Sequence, residues 1–186
     1  YWNEKNENDV AILCQLLNMD YSAWLPKARD ILHLSDSPLS LKNGIWMLSR
    51  KEELLYLLES RVLDQDLETF KDIAESVLKE QDPAFDLPTD ERYAASIHGK
   101  VLKHSGNLRQ GISEGLALLG NHSKPFTNCS LSKAETVSIL VVRELLDGIT
   151  WQQWATLNNL LPNLAEAAPN EFIEQVEKAL LTLPCP

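Results

Sequence analysis

Apolar residues recur along this chain at the three- and four-residue spacing of helices buried on one face. Val10, Leu13, Cys14 and Leu17 share a face over residues 9–17. Tyr21, Trp24, Leu25, Ala28 and Leu32 repeat the spacing over residues 21–33, with Asp20 placed to offer an N-cap oxygen. Pro26 is expected to kink that helix or delay its start. The pattern then changes. Apolar residues flank Asn43-Gly44, a pair that tolerates positive φ and favours a two-residue type I′ turn, which predicts a β-hairpin near residues 38–48 as the only sheet of the chain.

Helical spacing resumes after Arg50. Residues 51–62 carry Leu54, Leu55, Leu57 and Leu58, a face broad enough to predict burial on more than one side. Residues 67–79 read as an amphipathic helix capped by Asp66, with Leu67, Phe70, Ala74, Val77 and Leu78 inward. Pro83 and Pro88 make residues 82–88 a loop. Thr89 or Asp90 should start a helix reaching about Lys103, closed by Ser105-Gly106 as a left-handed cap. Asn107 should open a helix over 108–119 that Gly120 ends, followed by a loop over 121–130. Residues 131–147, with Ala134, Val137, Val141 and Leu145, predict a central helix ended by Gly148. Thr150 caps the next at Trp151, Pro162 and Pro169 each open a short helix, and Phe172, Val176, Ala179 and Leu180 finish the series.

The fold class expected is mainly α: an irregular antiparallel helical-repeat array with one short β-hairpin, because no period repeats between successive helix pairs. Two short helices followed by a hairpin is also the order at the end of a winged helix, whose first helix would lie upstream of Tyr1. The expected division is therefore a winged-helix-like end over 1–49 and a multi-helical repeat-like domain over 50–186.

At 186 residues the chain can bury a sizeable core without disulfides or metals. It opens on Tyr1 rather than Met and on a polar stretch, which reads as a register cut from the middle of a longer protein. No signal peptide or apolar run of membrane-spanning length occurs. Cys14, Cys129 and Cys185 are odd in number, far apart and without a Cys-x-x-Cys pair, which points to a reducing, cytoplasmic home. Asn121-His122-Ser123 and Asn128-Cys129-Ser130 match the glycosylation tripeptide, which also arises by chance in Asn/Ser-rich loops. Net charge is −10, from 27 acidic and 17 basic residues, so nucleic acid is not an expected partner, and neither is a membrane.

Catalytic signatures are missing. No glycine has the Gly-x-x-x-x-Gly-Lys-Ser/Thr context that surrounds phosphates with backbone donors, and neither His-Glu-x-x-His nor Gly-x-Ser-x-Gly occurs. The chain is read as non-enzymatic, with no catalytic, cofactor-binding or metal-binding residues. His98 and His104, six apart in one expected helix, would sit on different faces and read as surface residues. Lys100, Lys103, His104 and Arg109 form the one local basic cluster, on an expected solvated face. Its two readings are a docking point for an acidic protein surface and a helix end whose cations complement the dipole. Gly111 and Gly115 share a face that admits a close neighbour, and Trp46, Trp151 and Trp154 read as interior anchors.

Several strings carry a family likeness: Ser37-Pro38-Leu39 with Gly44-Ile45-Trp46, Leu78-Lys79-Glu80-Gln81-Asp82-Pro83, Ile97-His98-Gly99-Lys100, and Leu161-Pro162-Asn163-Leu164-Ala165-Glu166-Ala167-Ala168-Pro169 with Phe172. Together they resemble the region after the nucleotide-binding core in large bacterial STAND NTPases of the anti-phage Avs class. The resemblance implies a winged-helix end over residues 11–48 and the start of a helical-repeat sensor from Arg50. It implies ATP in an upstream domain, contacts with other domains of the same protein and with a phage protein, and oligomers only in the full-length context. No active-site residue of the family carries over. The alternative readings are a protein-binding helical scaffold unrelated to defence, and a hydrolase with an unrecognised site.

Overall fold

The computed structural model describes residues 1–121 and 126–181, so Cys185 and part of the first glycosylation tripeptide lie outside the described residues. The chain is mainly α-helical with one small antiparallel sheet. Strand β1 (Trp2–Asn3) leads into α1 (Glu7–Leu17) and α2 (Tyr21–Leu32), and the hairpin β2 (Leu39–Lys42) and β3 (Ile45–Leu48) follows. Then come α3 (Lys51–Leu58), α4 (Asp64–Leu78), α5 (Gly106–Gly120), α6 (Lys133–Leu146), α7 (Trp151–Leu157), α8 (Leu161–Ala167) and α9 (Pro169–Leu181).

The Asn-Gly turn forms as expected, with Asn43 at φ 56° and Gly44 at φ 84°. The sheet has a third strand that the spacing did not predict. Trp2 pairs with Trp46 and Asn3 with Ile45, giving the order β1-β3-β2. Two residues are too few to show an alternating pattern. The Trp2 and Trp46 rings stack 5.4 Å apart, and Trp24 meets both edge-on at 5.4 and 6.1 Å. The face of α1 is also turned relative to the expected one, since Asp9 and Ile12 are its buried residues. Asn6 caps α1 through its side chain, accepting from the amides of Asn8 and Asp9.

One contiguous apolar cluster runs from Trp2 and Ile12 through α4, α5 and α6 to Leu164 and Ala168. Helix α6 is central, as its spacing predicts, with Val137, Val141 and Val142 fully buried. Ser138 ties it to α5 by donating to the Leu116 carbonyl at 3.1 Å. Helix α8 lies so close to α5 that a Cβ on Gly120 would stand 1.9 Å from the Ala167 carbonyl oxygen. Gly111 likewise abuts the Tyr1 backbone, and Gly115 the Phe70 ring.

Three sequence expectations are corrected. The helix expected over 90–103 is a short 3-10 turn, Arg92–Ala94, ending where Gly99 at φ 67° lets the Lys100 amide donate back to the Ala95 carbonyl at 2.9 Å. Tyr93 and Ile97, 90% and 85% exposed, have helical spacing but no surface to pack on. Ser105-Gly106 does not end a helix: Ser105 is the N-cap of α5, its hydroxyl accepting from the Leu108 amide. Helix α3 stops at Leu58 and has no buried residue, Leu57 being 68% exposed, so the two-sided burial expected of residues 51–62 does not occur.

Candidate functional site

The basic cluster does not assemble into one patch. Lys100 Nζ pairs with Asp86 Oδ2 at 3.0 Å. The Lys103 side chain is exposed, while its amide donates to Glu80 Oε1 at 2.6 Å and its carbonyl accepts from the Asn6 and Asn8 side-chain amides. His104 is half-buried with Nδ1 3.1 Å from Glu80 Oε2.

Arg109 requires a correction, because it is 2% exposed and not on a solvated face. Its Nη1 donates to the Val77 carbonyl at 2.6 Å, at the C-terminal end of α4, where a cation complements the helix dipole. Its Nη2 is buried without a partner among the described residues. Burial pushes the guanidinium pKa down, against the opposing charges of Glu80 and Asp82. The sequence did carry the signal: Arg109 lies three, four and seven residues before Ile112, Ser113 and Leu116, all buried on α5.

The fully buried Asp9 was missed altogether. Its carboxylate accepts from the Asn3 amide and the Ser105 amide, both at 2.9 Å, and from the Ser105 hydroxyl. These bonds join β1, α1 and the start of α5, and all of them are internal. Trp151, expected inside, is 42% exposed. It meets Phe85 edge-on at 5.3 Å, and the Arg92 guanidinium lies 5.3 Å from its ring, so it pins the loop after α4 to α7.

A concave feature of the surface lies elsewhere. An open cleft of about 830 Å³ separates α3 from α5 and α8. Leu48, Leu55, Ala117 and Leu118 supply apolar lining, and the exposed Tyr56 stands at its edge. Four carboxylates line it, Glu52, Glu53, Glu114 and Glu166, against two cations. Both cations are engaged within the chain. Lys51 pairs with Glu114 and lies 3.9 Å over the Tyr1 ring. Arg50 lies 3.5 Å from Glu53 and donates to the Asp36 carbonyl at 2.9 Å. Asn163 donates to Ser113 Oγ at 2.9 Å, and Glu166 accepts from Asn121 at 3.0 Å.

Among the described residues no group of three or more His, Cys, Asp or Glu side chains is placed to hold a metal ion, and no helix is long and apolar enough to cross a membrane. Cys14 and Cys129 are free thiols. Asn128 of the second glycosylation tripeptide donates to the Ser60 carbonyl at 2.6 Å. No family model, no curated protein and no solved structure matches the chain.

Proposed function

We propose that this chain is a non-catalytic helical module of a bacterial STAND-type NTPase in anti-phage defence, coupling an upstream ATPase to target sensing and assembly through protein contacts. The observation that carries the reading is the strand order β1-β3-β2 around α1 and α2. A winged helix closes in this way, with the strand before its last two helices pairing with the distal strand of the hairpin after them. This supports the winged-helix end implied by the sequence resemblance, and it is an analogy of fold. This reading takes the helices after Leu48 as the first repeats. Cytoplasmic residence, ATP in the upstream domain and a phage protein as sensed partner go with the same reading.

The surface available for such contacts is smaller than the sequence implied. Arg109 and His104 are committed internally, which leaves Lys103, together with Lys100 in its exposed pair to Asp86, as the cations of that region able to meet an acidic protein face. The test has two arms. The full-length gene should encode a Walker A motif upstream of Tyr1, and its absence abandons the NTPase reading in favour of a scaffold unrelated to defence. Lys100→Glu with Lys103→Glu should leave the fold intact and weaken assembly or signalling of the full-length protein. Normal signalling by the double variant removes these lysines from the interface.

A further inference from the structure

We infer that the cleft between α3 and the α5–α8 pair is a docking groove for a cationic, amphipathic segment of a protein partner, one presenting lysine or arginine beside an apolar stripe. The inference deepens the reading of this chain as a protein-contact module by naming the chemistry of one partner.

Charge is the first argument. The lining holds four glutamates against one lysine and one arginine, and both cations already have partners in the chain. Two negative charges are left over, and among the described residues Glu52 has no cation paired to it. An acidic ligand would meet these carboxylates in a chain of net charge −10. A cationic one is drawn to them and shielded from few competing positive charges.

Apolar lining is the second. Leu48, Leu55 and Leu118 face a cleft of about 830 Å³, large enough to take several side chains. Helix α3 buries none of its residues, and Tyr56 and Leu57 extend the apolar surface outward from the edge. An enclosed pocket would suit a small molecule. An open trough with apolar walls, a carboxylate rim and an exposed aromatic edge suits a stretch of polypeptide lying along it, the helix-in-groove mode of recognition. Aliphatic parts of lysine or arginine can cover Leu55 and Leu118 while their heads reach the glutamates.

The probe is a fluorescein-labelled 14-residue peptide with leucines at helical spacing flanked by lysines and arginines, titrated against the whole chain by anisotropy, with amide shifts mapping the contact. Saturable binding that weakens with salt, and shifts confined to α3, α5 and α8, are expected. Glu52→Lys with Glu166→Lys should weaken binding roughly tenfold, as loss and reversal of two partly exposed ion pairs. The control pair Glu135→Lys with Glu177→Lys makes the same charge change on exposed residues outside the cleft and should weaken it far less. Equal weakening by both pairs would mean a general attraction to an acidic chain and overturn the inference. So would equal affinity for a peptide with glutamates in place of the cations. Self-association of the chain through this face, seen by sedimentation and abolished by Leu118→Lys, would make a second copy the occupant and also overturn it. None of these outcomes depends on an upstream Walker A motif, so the groove and the NTPase reading can fail separately.

Discussion

Arg109 shows how far one side chain can depart from its type. Its guanidinium is enclosed with one bond, to Val77, and a second nitrogen that has no partner among the described residues. Removing a buried charge together with its desolvation cost is often close to neutral, whereas reversing it leaves a new charge uncompensated. Arg109→Met should therefore lie within about 1 kcal/mol of the parent protein in urea unfolding, lost bond set against relieved burial. Arg109→Glu should lose about 3–5 kcal/mol, because the carboxylate would face the Val77 carbonyl and the charge of Glu80. If Arg109→Glu unfolds at the parental midpoint with an unchanged slope, the residue is not enclosed as described. Lysine and arginine types predict solvent on average, so a single arginine on an apolar stripe is outvoted unless the stripe itself is followed.

At the scale of elements, helix against helix, α5 and α8 approach each other closely at Gly120. Gly120→Ala would set a methyl 1.9 Å from the Ala167 carbonyl oxygen, so the two backbones must part. A loss of about 1–3 kcal/mol is expected, read as a lower urea midpoint, and an unchanged midpoint would show that the helices do not meet there. Helices α4, α5 and α6 were legible in the sequence because each pairs a long apolar stripe with a partner that covers it. The hairpin was legible because Asn43 and Gly44 accept positive φ. Residues 90–103 were misread for the converse reason: Tyr93, Ile97 and Val101 have a stripe's spacing, but the tertiary fold offers them nothing to cover. The cleft was not legible at all, since its walls come from segments far apart in the chain and neither α3 nor α8 marks itself as facing a gap.

For the molecule as a whole, α6 and the turn before it are tied to the neighbouring elements by carboxylates on one side of the seam or the other. Asp64 accepts from the Ser130 hydroxyl and amide, Glu68 pairs with Lys133, Lys79 with Glu144, and Arg143 grips Glu171 through two bonds of 3.0 and 2.7 Å. Each of the four carboxyl pKa values is pushed below the usual range, chiefly by these hydrogen bonds. A depressed folded-state pKa contributes stability that is complete above the unfolded value and drains as pH falls through the folded one. The thermal midpoint should hold from pH 7 to about 5 and decline from about pH 4.3 downward. Glu171, whose side chain is 5% exposed, should weigh most, since exposed pairs contribute little. Glu171→Gln should flatten the decline, and a midpoint level down to pH 3 would rule these pairs out as the acid-sensitive ties. The tryptophan stack has an optical consequence of its own. Indole rings 5.4 Å apart are close enough for their excited states to mix, and edge-on Trp24 gives the group a handed arrangement. The chain should therefore show an exciton couplet superimposed on its helical dichroism. Trp2→Phe should remove the share of that couplet due to Trp2, leaving only the Trp24–Trp46 contribution, with the helical bands intact, giving a spectroscopic handle on the β1–β3 seam.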